Sequence, residues 1–506
     1  MLEPARGGSE RHGSWLERGA GAPLEKYMKR LGLLVVSAVL FCLSAFAEKT
    51  PIENLYQYSL PNGLNLFVAE NHTVPLAYVE IAVRCGAYTQ TAENAGLFHL
   101  YEHMMFKGNS LFKNTAEVTN ALSDLGISNW NGSTDIECVN YYFTIPSSQV
   151  KKGLEFWSAA IRSPLLDKNE LENEKKVVLS EVQADYSSPE RIANYYRAKK
   201  IFSDSPWKLD PAGSATVVQN ATVKNLKQIQ KTFYIPNNSA VFVGGDVNPD
   251  EIYALVQTIF GNWKKGKNPF AKLNFSHSKT PFSEPHYAVM PFEKCSKEIA
   301  QISVEFRGAD LAFDREDSYA SDVLNSLLSR PDGIFKRSVM KDGYIGTPSA
   351  DYISTSYLSR KSCGNIDFAA VVTMPEAELP ERAKYFSVQV PELVKEALSG
   401  VTEEKIAQTV TRLEDSNIYT NETSTGLLRT MRFWWICADE EYAYTYDEKM
   451  AGVRVEDLSR VAEKYIYGKN PFVLVYVNPE VYEESKDLFA EAGFDVASAD
   501  NAFWFR

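Results

Sequence analysis

Two of the chain's six histidines, His99 and His103, fall inside Gly96 to Gly108, GLFHLYEHMMFKG, with Glu102 between them in the spacing H-x-x-E-H. On a helix, residues three and four apart share a face, so both imidazoles and the carboxylate point into one small volume. Two neutral imidazoles one turn apart suit Zn2+, and a carboxylate beside them can take a proton from water held on the metal. That outlines a hydrolytic centre with one Zn2+ per chain. The competing reading, a helix whose histidines are merely satisfied polar groups, is the weaker one, because so few histidines are available to fall into this spacing by accident.

A catalytic zinc usually takes three protein ligands and keeps one position open. With only two histidines supplied, a carboxylate from a second helix is the natural third. Lys168 to Asp185 has helical periodicity and carries Glu170, Glu172, Glu174 and Glu181. Glu174 and Glu181 are seven apart, two turns, and so share a face. A solvated charged face is the default for any single glutamate on such a helix, and spacing alone does not choose among them.

The elements that must position these groups can be read in outline. Tyr56 to Leu60 and Leu64 to Ala69 read as strands around a Pro61-Asn62-Gly63 turn, and Leu76 to Val83 as a third. The histidine helix is expected from near Ala92 to about Lys107-Gly108, where a cation and a glycine provide a stop. Thr115 to Leu125 and Lys151 to Ile161 read as further helices. Asn131 to Ile145, NGSTDIECVNYYFTI, is rich in β-branched and aromatic residues and reads as strand.

The chain as a whole limits what these groups can serve. Its 506 residues, 44% hydrophobic and with a net charge of −12, have room for two or more domains and lack a nucleic-acid footprint. Met28-Lys29-Arg30, apolar Leu31 to Leu43 and Ser44-Ala45-Phe46-Ala47 have the n-region, h-region and A-x-A site of a secretory signal. The apolar run is shorter than the ~20 residues of a spanning helix. No stable transmembrane span is therefore expected after signal cleavage, and the mature chain is expected to begin near Glu48. Residues 1–27 do not belong in front of such a signal and read as a mis-assigned or added extension. Cys42 lies within the apolar run in a context that fits lipid attachment poorly. The remaining Cys85, Cys138, Cys295, Cys363 and Cys437 are an odd, scattered set rather than a disulfide framework.

GLFHLYEHMMFKG resembles the G-L-x-H-x-x-E-H-M-x-F-K-G signature of the pitrilysin and insulin-degrading-enzyme metallopeptidases. These M16 inverzincins include mitochondrial processing peptidase. Asn173 to Gln183, NEKKVVLSEVQ, resembles the family's second motif. The resemblance implies that Glu181 is the third zinc ligand beside His99 and His103, that Glu102 is the catalytic base, and that Glu174 supports activity. Asn131-Gly132-Ser133-Thr134 followed by Asn140-Tyr141-Tyr142 resembles the family's active-site edge strand. By that match Asn131, Gly132, Ser133 and Thr134 would bind substrate, the strand pairing with an extended peptide. The resemblance also covers Ser205-Pro206-Trp207 with Gly213, the helix Val223 to Tyr234, and the run from Val241 to Val247.

An internal echo points to two related halves. Val223-Lys-Asn-Leu-Lys-Gln-Ile leads through Ala240-Val-Phe-Val to Val247-Asn-Pro-Asp-Glu-Ile-Tyr, and Val455-Glu-Asp-Leu-Ser-Arg-Val leads through Phe472-Val-Leu-Val to Val477-Asn-Pro-Glu-Val-Tyr. The resemblance implies an α+β architecture, two homologous α/β-sandwich domains of processing-peptidase type forming a clamshell. The divisions are a signal at 28–47, a catalytic domain at 48–265, a linker at 266–285 and an inactive homologous domain at 286–506. In the second half Asp317 to Ser329 takes the place of the histidine helix and holds no histidine.

The family often adds an Arg and a Tyr, seven apart, from its second half. Aligned on Gly343-Tyr344 those positions fall on Val339 and Gly346, with Arg337, Tyr344 and Tyr352 as nearby substitutes. The expected function is a zinc endopeptidase or oligopeptidase acting on peptides in an enclosed chamber, exported to a bacterial periplasm or cell envelope or beyond. Two alternatives accompany it: a related partner subunit supplies the missing Arg/Tyr pair, or the chain is a non-catalytic peptide-binding or assembly subunit.

Overall fold

The computed structural model describes residues 48–205, 209–373 and 378–505. The extension 1–27, the leader 28–47, Cys42, Pro206 and Trp207 lie outside the described residues. The chain separates into the units Met1–Glu48 and Lys49–Arg506, and everything below concerns the second.

Apolar residues at every second position, or in unbroken runs, build two sheets. The first holds β1 (Leu55–Ser59), β2 (Asn65–Glu70), β3 (Leu76–Val83), β4 (Trp130–Thr134), β5 (Val139–Pro146) and β6 (Ser239–Gly245). They lie in the order β1-β2-β6-β3-β5-β4, with β2 and β6 parallel and the other neighbours antiparallel. The second holds β7 (His286–Pro291), β8 (Ile299–Arg307), β9 (Ile353–Leu358), β10 (Asn365–Thr373), β11 (Phe472–Val477) and β12 (Asp495–Val496). Its order is β9-β10-β8-β11-β7-β12, with β7 and β11 parallel. Five strands therefore correspond one to one, β2-β6-β3-β5-β4 to β7-β11-β8-β10-β9, with matching senses.

The echoed segments occupy equivalent elements. Helices Val223–Phe233 and Val455–Tyr465 precede β6 and β11, and helices Pro249–Phe260 and Pro479–Glu491 follow them. Both of the latter place a proline in the first turn behind an asparagine cap, Asn248 or Asn478, whose side chain accepts from the first free backbone N–H groups.

The two halves exchange helices. Ser424–Cys437 of the second half lies on the first sheet, close enough at Gly244 that a Cβ there would meet Leu428 Cδ1 at 2.6 Å. Pro189–Ile201 of the first half lies on the second sheet, where the Tyr196 hydroxyl donates to Asp495 at 3.0 Å. As a result Phe67, Tyr78 and Phe242 of the first sheet share one buried apolar cluster with Leu428, Met431 and Trp435 of the second half. All five cysteines of the described residues are free, four of them buried. No helix among the described residues is long and apolar enough to cross a membrane.

Two sequence expectations change. The stretch from Asn131 to Ile145 is a hairpin of β4 and β5, because Asp135 turns the chain. Its N–H donates to the Cys138 carbonyl at 2.8 Å, and its carboxylate accepts from Ile136 N at 2.8 Å. The histidine helix starts at Leu97 rather than near Ala92, because Gly96 has φ 86°, a left-handed conformation from which a helix cannot extend backwards.

Candidate metal centre

The helix Leu97–Met104 buries Leu97, Phe98, Leu100, Tyr101 and Met104, which leaves His99 and His103 on the face turned toward the helix Lys168–Ser187. The latter is capped by Asp167, whose side chain accepts from Asn169 N and Glu170 N. Two turns apart on it, Glu174 and Glu181 meet the two imidazoles. His99 Nε2 and His103 Nε2 stand 3.3 Å apart, and Glu181 Oε2 is 3.4 Å from the first and 3.5 Å from the second. Donors held at ~2.0–2.1 Å around a tetrahedral Zn2+ are separated by about 3.3 Å, so this triangle has the size of one face of such a site.

The surrounding chemistry is of the same kind. Burial, and then His103, hold the His99 imidazole down at about 4, so it is neutral with a free lone pair near neutrality. His103 Nδ1 faces Glu174 Oε2 at 3.1 Å, which fixes the ring so that Nε2 points into the triangle. The other oxygen of the buried Glu174 pairs with Lys107 Nζ at 2.7 Å. Glu174 is thus tied at both ends and cannot reorient freely.

Glu102 stands beside the imidazoles with its carboxyl pushed up to about 7, chiefly by burial and against the pull of His103 and of the Thr134 hydroxyl, 3.4 Å away. His99, Glu102 and His103 also form a compact donor cluster, so the histidine helix by itself offers two imidazoles and a carboxylate. Glu181 equalises the triangle, whereas Glu102 lies toward β4. A Cβ on Gly132 would overlap Glu102 Oε1, so only glycine leaves room for this carboxylate.

β4 is the edge of its sheet, with Asn131 and Ser133 exposed and Gly132 and Thr134 half-buried. All four line a cavity of about 530 Å³ with His99, Glu102, His103, Glu174 and Glu181. Arg337, Tyr344 and Tyr352 do not line it. Tyr344 packs edge-on against Tyr385, and Tyr352 is half-exposed at the start of β9. A guanidinium and a phenol reach the cavity from the first half instead, as Arg191 and Tyr195 on the helix Pro189–Ile201. Sequence reasoning missed both. Their i, i+4 spacing was legible, but nothing in it tells a cavity wall from a packing face.

Two family models match in order: that of insulinase (peptidase family M16) at residues 66–211, and that of the peptidase M16 inactive domain at residues 220–413. An uncharacterised zinc protease, YmxG of Bacillus subtilis, is 24% identical over 274 residues, covering 54% of this chain and 63% of the relative. A probable mitochondrial-processing peptidase subunit beta of Arabidopsis thaliana is 22% identical over 289 residues, covering 57% and 52%. The chain thus spans between half and two thirds of the length of these curated relatives. Among solved structures, the periplasmic protease PqqL from Escherichia coli superposes with a TM-score of 0.68 at 15% identity, over 90% of this chain and 51% of that one. With one family's two domain models matched in succession, and with two sheets of corresponding order, the chain belongs to peptidase family M16, the insulinase family.

Proposed function

We propose that the chain is a zinc-dependent endopeptidase or oligopeptidase, with His99, His103 and Glu181 as the ligands of one Zn2+. The observation that carries this reading is the triangle of 3.3, 3.4 and 3.5 Å between their donor atoms, beside a buried carboxylate and an open strand edge. Zn2+, when bound, supplies a Lewis acid that acidifies water and balances charge developing on a carbonyl oxygen. Glu102 takes the proton of the attacking water and returns it to the leaving amine, a task suited to a carboxyl raised toward neutrality. Glu174 keeps His103 in its ligating orientation. Asn131, Gly132, Ser133 and Thr134 receive the substrate as an added strand, main chain to main chain, so that the scissile bond comes to rest where Gly132 meets Glu102.

The names of relatives support the wider setting. The Escherichia coli structure is titled a periplasmic protease, in line with export of this chain behind the leader at 28–47. The Arabidopsis relative is named a probable subunit beta of a mitochondrial-processing peptidase, which supports a related partner subunit for this chain. The test is digestion of a peptide library by purified residues 48–506. Cleavage should stop on chelation and return with Zn2+; cleavage indifferent to chelator would refute the zinc mechanism.

A further inference from the structure

Arg191, Tyr195 and Pro211 line the cavity at the candidate metal centre, and the same three residues line a second cavity of about 230 Å³ behind them. This second space belongs to both halves of the molecule. Ile136, Phe202 and Leu209 come from the first half, Leu358 and Cys363 from the second. Phe202, Leu209 and Cys363 are buried, whereas Leu358 stands 41% exposed at the rim.

The charged groups around it are already engaged with one another. Arg191 faces Asp185 at 3.4 Å, Arg197 faces Glu305 at 3.2 Å, and Asp135 faces Arg360 across the halves at 3.3 Å. Apart from the amides of Asn194 and Asn365, the latter with an unpartnered Oδ1, what remains to meet an incoming group is apolar, from Ile136, Phe202, Leu209 and Leu358. A charged side chain entering here would lose its hydration and find every counter-charge taken.

The position of this space relative to β4 says what enters it. Gly132 touches Glu102, and Asp135 and Ile136 follow directly after the strand ends at Thr134. A peptide lying along β4 with its scissile bond at Gly132 passes this opening roughly two to four residues away, at ~3.3 Å per residue. We propose that this second cavity is a specificity subsite for an apolar side chain of leucine or phenylalanine size, two to four residues from the bond to be cut. The assignment rests on the peptidase reading for the direction of the peptide. It goes beyond that reading in naming the substrate class, peptides with one apolar anchor outside the residues flanking the cut.

The experiment is a series of otherwise polar peptides of eight to twelve residues in which one leucine is moved along the sequence. It is read twice: as kcat/KM with the zinc-loaded chain, and as Kd by fluorescence anisotropy with zinc-loaded Glu102→Gln, which reports binding without turnover. Leucine at one position two to four residues from the cut should improve both values about tenfold over serine there. The Leu358→Asp chain, altered at an exposed rim, should bring that ratio close to one, and Ile136→Ser should lower it from the opposite wall. A leucine preference in Kd without turnover supports the subsite while overturning the peptidase reading. Turnover with no positional preference overturns the subsite and leaves the peptidase standing. A preference that persists unchanged in Leu358→Asp and Ile136→Ser also overturns it, since the anchor then binds elsewhere.

Discussion

The guanidinium of Arg432, on the helix that the second half lends to the first sheet, stands 2.6 Å from the carboxylate of Glu80 on β3. Asn140 on β5 donates to the same carboxylate at 2.6 Å. The other half repeats the arrangement. Arg197, on the helix lent to the second sheet, meets Glu305 on β8, and Asn365 on β10 donates to Glu305 at 2.7 Å. The registers agree, Glu80 opposite Tyr142 and Glu305 opposite Asp367, with each asparagine two residues before that partner. One duplicated Arg–Glu–Asn lock therefore holds each exchanged helix to the other half's sheet.

Breaking a lock should loosen the join between the halves. Glu80 is fully buried, so Arg432→Met leaves an uncompensated charge and should cost about 3–5 kcal/mol in urea unfolding. Adding Glu80→Gln should recover a large part of that loss. A cost below about 1 kcal/mol for Arg432→Met alone would show that the pair is not a lock.

The two glutamates of the second helix should separate in a metal assay. Glu181→Ala removes one corner of the donor triangle, and elemental analysis should find no stoichiometric zinc. Glu174→Gln removes the negative charge facing His103 Nδ1 and Lys107 Nζ but no corner of the triangle, and zinc affinity measured by chelator competition should fall about 10–100-fold. Full zinc content in Glu181→Ala would remove it from the ligand set.

Glu102 and Gly132 should be coupled in catalysis but not in metal binding. Glu102→Gln should keep zinc and lose turnover by about 10²–10⁴-fold. Gly132→Ala pushes a methyl group into Glu102 Oε1 and should cost about a hundredfold in kcat with zinc retained, because the base is displaced. Wild-type turnover in Gly132→Ala would mean that the carboxylate does not work from its present position.

The contribution of Asp322 to stability should fall as pH rises from about 4 to about 7, opposite in sense to that of His99, whose folded form is held down at about 4. Burial raises Asp322, which accepts from the Tyr446 hydroxyl at 2.7 Å, from 3.8 to about 7. Over that interval the folded chain keeps a proton that the unfolded chain has released, so this contribution is complete below about pH 4 and is lost as pH passes 7. Asp322→Asn should reduce the slope of stability against pH, measured by urea unfolding at pH 5 and pH 8. Asp210, raised to about 7, and Asp367, raised by burial and by Glu305, act in the same sense and keep the slope from vanishing.

Features that depend on local periodicity are legible in the order of residues alone. The one-turn spacing of His99 and His103, the two-turn spacing of Glu174 and Glu181, and the echoed Asn-Pro helix starts are all set within a few residues, and each is found as the pattern requires. Which groups from distant segments share a space depends on how the chain folds back on itself. Gly132 reads in sequence as a strand residue, and only the approach of Glu102 shows why no side chain fits there. Arg191 and Tyr195 have no motif and are cavity walls only in the folded chain. Arg432 and Glu80 are 352 residues apart, and no local preference can announce a pairing made by folding one half onto the other.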